Sequence, residues 1–180
     1  MHFSHPIPAI TLSHWTEEGW VLLKKERWSE LFEWTNQNLE KGIQNIDYLT
    51  IAAKVNTFFQ AFDNAADCYD AILQLNPYHK NALINRAELA LRENDLSNAS
   101  LLAQKVAPYM NEYRVLKLYK EIEMSHGNYD CAIQIAEIAQ SLEEFKDSPS
   151  ALNEFQGWIY IAVLMDWPLK GHDPFMGEPI

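Results

Sequence analysis

Leu31, Ala65, Ala99 and Ala132 stand 34, 34 and 33 residues apart, each at the same place in a similar stretch: ELFEWTNQNLEKG at 30–42, AADCYDAILQLNP at 65–77, NASLLAQKVA at 98–107 and CAIQIAEIAQSL at 131–142. A fixed interval over four copies constrains the fold more than any average property does. A unit of this length cannot bury its apolar face alone, so its neighbours must stack on it. Each stretch follows a second amphipathic segment: HWTEEGWVLLKKE, YLTIAAKVNTFFQ, NALINRAELALRE and VLKLYKEIEMSHG. Apolar residues recurring three and four apart predict helices. The chain therefore reads as all-α, built of helix–turn–helix units.

The small residues have a steric role. Two antiparallel helices approach closely only where a small side chain faces the neighbour, so Ala53 with Ala65, and Ala87 with Ala99, are expected at the crossings. Tyr69 and Ile72 would fill the space beyond, and Pro77 would end its helix.

Helix, turn, helix and a period of 34 together resemble the tetratricopeptide repeat (TPR) family. Trp15, Gly19 and Trp28 match its pattern in a first repeat, and Ala53, Ala65, Tyr69, Ile72 and Pro77 in a second. Leu83, Ala87, Asp95 and Ala99 match it in a third; Leu116, Tyr119, Gly127, Tyr129, Ala132 and Ala139 in a fourth. The resemblance implies an α-solenoid, a superhelix of stacked antiparallel helix pairs, with repeats at 12–45, 46–79, 80–112 and 113–146. An N-terminal extension (1–11) precedes them. Two departures bear on geometry. Leu31 replaces the usual alanine, so the first two helices are expected further apart. Arg86 replaces a leucine, so the third repeat either shifts its helix or buries an aliphatic stem beneath an exposed head.

Beyond the repeats, Ser148 and Pro149 open a further helix that Trp167 and Pro168 close, as a capping helix at 147–167. It is apolar on every side, which calls for burial on every side. Either the Pro/Gly-rich tail (168–180) folds back over it, or a second copy of the chain docks there as a homodimer, or a partner protein covers it.

Composition narrows the function. With 48% hydrophobic residues the 180-residue chain can bury a core. A formal charge of -11 opposes binding to nucleic acid. Cys68 and Cys131 form no CxxC or Cys/His cluster, which fits a reducing cytoplasm. The N-terminus lacks the basic start of a secretory signal, and no apolar run reaches the 18 residues of a membrane span.

Catalytic patterns are missing: no GxSxG, HExxH, GxGxxG or GxxxxGK[ST] occurs. Glu123 and His126 have the Glu-x-x-His spacing of di-iron bundles, but no second copy exists. Neighbours such as Glu17–Glu18 and Glu143–Glu144 diverge by about 100° on a helix and cannot converge on one substrate. Neither an enzyme, nor a cofactor, nor a metal is expected.

The resemblance implies that the leading helices line a concave groove that binds a partner peptide. Its positions fall on Trp20, Lys24, Ile51, Lys54, Phe58, Ile84, Asn85, Arg92, Arg114, Lys117 and Leu118, and also on Glu88, Leu91, Glu121 and Met124. Phe58 and Leu91 have an alternative place in the core between repeats. Some TPR proteins hold a chaperone's terminal carboxylate in a five-residue clamp. Asn85 and Arg114 match it, whereas Thr50, Lys54 and Leu118 do not. The expected function is an interaction module for a peptide or apolar segment, as in a secretion-type chaperone or an adaptor. The alternative is a regulator or immunity-like inhibitor that docks onto a basic target through acidic surface, including Glu143, Glu144 and Asp147.

Overall fold

The computed structural model describes residues 14–141. The expected N-terminal extension, capping helix, tail and acidic C-terminal segment lie outside the described residues. Those described are helical, without a strand: α1 (Glu17–Lys24), α2 (Trp28–Gln37), α3 (Leu39–Gly42), α4 (Ile46–Phe58), α5 (Phe62–Leu75), α6 (Lys80–Arg92), α7 (Leu96–Gln104), α8 (Tyr113–Ser125) and α9 (Tyr129–Ser141). A 3-10 turn at His14–Thr16 leads into α1, and another at Ala107–Tyr109 takes up Pro108 after α7.

The interval of the sequence returns in the backbone. Glu26, Gln60, Asn94 and Gly127 all have positive φ, at 54°, 61°, 60° and 78°. Each sits just past a leading helix, where the chain reverses. The amide after it reaches back five residues: Arg27 N to Leu22 O (3.0 Å), Ala61 N to Asn56 O, Asp95 N to Ala90 O and Asn128 N to Glu123 O (each 2.8 Å). The positive-φ residue itself donates three residues back, for example Gln60 N to Thr57 O at 3.1 Å. This is the Schellman closure, which satisfies the last carbonyls of one helix while aiming the chain into the next. The trailing helix is then capped where the sequence permits. Asp95 accepts from Asn98 N at 3.1 Å, whereas Ala61 at the matching place offers no side-chain acceptor.

The chain divides into two compact units, Met1–Ala82 and Leu83–Ile180. In the first, α1 packs on α2 and α4, α2 on α4, and α4 on α5. Ala53 and Ala65 have no exposed surface, as the crossing argument requires, and Tyr69 and Ile72 are buried beside them. Leu31 is likewise fully buried. The small residue of this hairpin comes instead from α1: a Cβ on Gly19 would lie 2.6 Å from Trp34 and 2.9 Å from Ile51. Trp15 packs against Trp34 and Tyr48, with ring centroids 6.0 and 6.1 Å away. The buried Tyr48 hydroxyl donates to Thr35 O at 2.8 Å, tying α4 to α2. The second stretch of this repeat is not one helix. It breaks at Asn38, whose side-chain amide donates to Trp34 O at 2.8 Å, and resumes as α3.

In the second unit α7 packs on α8 and α8 on α9. Ala87 and Ala99 are fully buried. Leu116, Ala136 and Ala139 form a cluster closed by Met110, Tyr113 and Ile135. Tyr119 donates to Ala103 O at 2.9 Å. The Arg86 side chain is only 13% exposed, and its head pairs with Glu93 Oε2 at 3.5 Å.

Candidate functional site

Leading-helix positions in the first unit are unequal. Ile51, expected on the groove floor, is 0% exposed and belongs to the core. Its place on α4 turns it toward Gly19, where the missing side chain leaves room for it. Trp20 is half-buried and its indole Nε1 has no hydrogen-bond partner among the described residues. Lys24 and Lys54 are exposed. Phe58 is 50% exposed, and its ring lies flat on Trp28 at 4.1 Å, so its face is already in use.

The second unit corrects two more positions. Ile84 and Leu118 are each 1% exposed, so they hold helices together and cannot touch a ligand. Periodicity alone cannot separate a buried stripe from the strip beside it, because the two differ by one residue, about 100° of rotation. Asn85 and Arg114 do meet. The Arg114 guanidinium donates to Asn85 Oδ1 and, in a two-pronged pair, to Glu88 at 3.2 Å (Nε) and 2.8 Å (Nη2). Lys117 is half-buried on the same helix.

Between α6 and α8 lies an open hollow of about 380 Å³ lined by Glu88, Leu91, Arg92, Glu121, Met124 and Ser125. Leu91 and Met124 supply apolar contact; Glu88, Glu121 and Arg92 supply charge of both signs. Of the expected groove positions, then, Glu88, Leu91, Arg92, Glu121 and Met124 line this hollow, and Asn85 and Arg114 lie beside it.

A second concavity, of about 480 Å³, lies in the first unit away from any expected position. Phe32, Leu39 and Ile43 come from α2, α3 and the residue after α3; Leu49 and Ala52 from α4; Asp67, Cys68 and Ala71 from α5. Burial pushes the Cys68 thiol above its ordinary pKa, while a contact from Asn56 Nδ2 at 3.9 Å acts weakly the other way. Sequence reasoning missed this site because its walls come from trailing helices and only its floor from the leading helix α4. The signal that could have found it is the run Phe32, Leu39, Ile43, apolar residues beyond what the hairpin's own core consumes.

Among the described residues no group of three or more His, Cys, Asp or Glu could hold a metal, and no helix is long and apolar enough to cross a membrane.

No protein-family profile matches the chain. Over 144 residues it is 24% identical to mouse intraflagellar transport protein 70B; the match covers 80% of this chain but 22% of that protein, so the chain spans about a fifth of its curated relative. Among solved structures it resembles a tetratricopeptide repeat protein of Parabacteroides merdae, with a TM-score of 0.67 and 20% identity over 89% of this chain and 65% of that one. It also resembles the TPR2B domain of yeast Sti1 in complex with pHsp70, with a TM-score of 0.59 and 16% identity over 66% of this chain and 96% of that one. The recurring hairpins, their Schellman turns and these neighbours together identify the fold of this chain as that of the tetratricopeptide repeat proteins.

Proposed function

We propose that the chain is a non-enzymatic interaction module that holds a segment of another protein in the hollow between α6 and α8. The observation that carries this reading is the hollow itself, in which two apolar side chains, Leu91 and Met124, sit open among Glu88, Arg92 and Glu121. An apolar anchor ringed by fixed charges is the usual form of a peptide contact, with affinity from the anchor and register from the charges. The Sti1 neighbour, solved with pHsp70, supports a peptide as the kind of occupant.

The ligand is not selected by a terminal carboxylate. Arg114, the cation that matches the clamp pattern, already faces Glu88 and Asn85, so an incoming carboxylate would have to displace a two-pronged partner. An internal segment that offers an apolar side chain to Leu91 and Met124 fits better. That is the recognition an adaptor or a client-shielding chaperone requires. Two free cysteines support a reducing, cytoplasmic setting.

The test is capture from a lysate followed by mass spectrometry, with Leu91→Ser/Met124→Ser as the paired control. A partner retained by the parent chain and lost by the double variant supports the hollow. A partner retained equally by both places recognition elsewhere and overturns this reading.

A further inference from the structure

The concavity of the first unit is a trough rather than a pit. One wall is the strip Phe32, Asn36, Leu39, Ile43 along α2 and α3, and the other is Asn64, Asp67/Cys68, Ala71 along α5; α4 forms the floor with Leu49, Ala52 and Asn56. Both walls advance in steps of three and four residues; the α5 wall is one continuous helix face, and the other runs from α2 across the break at Asn38 onto α3. From Asn64 to Ala71 is two turns, roughly 10 Å of helix.

What lines the trough is unusual for solvent. Phe32, Leu39 and Ile43 are 45%, 55% and 57% exposed, and the apolar surface continues out of the trough, since the Phe32 ring meets Phe59 edge-on at 5.5 Å and Phe59 meets Phe58 at 5.1 Å. Phe59 is itself 48% exposed. Contiguous apolar surface of this kind marks an interaction site more often than a scattered leucine does. The polar part of the lining is one-sided among the described residues: Asn36, Asn56, Asn64 and Thr35 are neutral and Asp67 is charged, with Asp63 one turn before it on α5.

We propose that this trough seats a cationic amphipathic helix of a partner protein, its apolar stripe on Phe32, Leu39 and Ile43 and a Lys or Arg against Asp67 and Asp63. The shape argues for a helix, because two helical walls over a helical floor are what a further helix packs against by ridges and grooves. The charge argues for a cation, because the described residues of the trough include a carboxylate and no basic group. This site shares no residue with the hollow of the second unit, so either can fail without the other.

The experiment uses the full chain carrying Cys131→Ser, which leaves Cys68 as its one thiol, and a fluorescent 14-residue Leu/Lys peptide, LKKLLKLLKKLLKL, with its Leu/Glu counterpart as the charge-reversed probe. Binding is read by anisotropy, and occupancy by the rate at which a maleimide labels Cys68. The Leu/Lys peptide should bind and slow Cys68 labelling at least about fivefold at saturation. Phe32→Ser/Ile43→Gln should weaken binding by at least about tenfold, close to 1.4 kcal/mol. Asp67→Asn should weaken it less and flatten its salt dependence. The single exposed change Leu39→Gln gives the same reading if the double variant fails to fold. Leu91→Ser/Met124→Ser should leave it unchanged. Three results would overturn the proposal: an affinity indifferent to the trough substitutions, which means that net charge alone attracts the peptide; equal binding of the Leu/Glu probe; or a Cys68 that stays unlabelled in the free chain even above the ordinary thiol pKa, which means that the chain itself or a second copy already covers the trough.

Discussion

Gln60 is the residue at which the physical account of the fold is most exposed to test. It sits at φ 61° in the turn between α4 and α5, with its own amide and that of Ala61 already bonded back to Thr57 and Asn56. A left-handed conformation costs a residue with a Cβ roughly 1–2 kcal/mol, and glycine avoids that cost. Against this, glycine loses more freedom on folding, about 0.5–1 kcal/mol. The Gln60 side chain is exposed, so little contact is forfeited. Gln60→Gly should therefore stabilise the chain by about 0.5–1 kcal/mol, which for a chain of this size raises the unfolding midpoint by about 1–4 °C. The fourth repeat supplies the reverse experiment. Gly127 has φ 78°, and a Cβ there would have nothing within 4 Å, so Gly127→Ala tests the backbone alone and should cost about 1 kcal/mol. Asn94→Gly should change little, because asparagine tolerates this conformation better than other residues with a side chain. The assay is thermal and urea unfolding by circular dichroism, with Glu33→Gly inside α2 as the ordinary helix-interior control, expected to cost about 1 kcal/mol. If Gln60→Gly destabilises as much as the Glu33 control, the turns do not hold the geometry described, and the period seen in the backbone has no energetic meaning.

Other substitutions test the packing. Ala65→Leu or Ala99→Leu forces volume into a crossing with no free surface and should cost about 1–3 kcal/mol in urea unfolding, whereas Gln104→Ala, on an exposed face, should stay within about 0.5 kcal/mol. Tyr48→Phe removes the 2.8 Å bond to Thr35 O and leaves a carbonyl without that donor, for a loss of about 1–2 kcal/mol by the same measurement. Because burial holds the Cys68 thiol protonated to higher pH than usual, labelling should find exposed Cys131 first at neutral pH, and the Cys68 rate should climb only as pH rises past the ordinary thiol range. Equal rates for the two at pH 7 would contradict the burial of Cys68.

Much of the fold was legible because the determinants are local and repeated. Alanines at a fixed interval, and helical stripes on either side of them, leave few arrangements other than stacked hairpins. The turns were less so: glutamate, glutamine, asparagine and glycine share one backbone conformation at positions 26, 60, 94 and 127, and only the last two residue types hint at it. The break at Asn38 was likewise hidden, since ELFEWTNQNLEKG has the spacing of one helix. The groove residues were legible as a face but not as a surface. Ile51, Ile84 and Leu118 obey the same spacing as residues that reach solvent, and only the packing of neighbouring helices decides which are covered.

The Arg114 pair shows why residue identity at matched positions does not transfer function. An arginine and an asparagine at clamp positions suggest an anion site when read one residue at a time. What matters is the charge that remains after neighbours are counted, and Glu88, one turn from Asn85 on α6, answers Arg114 from across the hairpins with a bidentate pair. The pair is about 40% exposed on each side, so it is screened and adds little to stability. Its effect on recognition is larger, because an incoming carboxylate meets Glu88 as a competitor and as a like charge. Glu88→Gln should therefore open the site: a peptide ending in a free carboxylate should gain affinity relative to its amidated form in Glu88→Gln, and show no preference in the parent chain. A parent chain that already prefers the free carboxylate would mean that Glu88 yields Arg114 to the ligand, and that the clamp reading set aside here is the correct one.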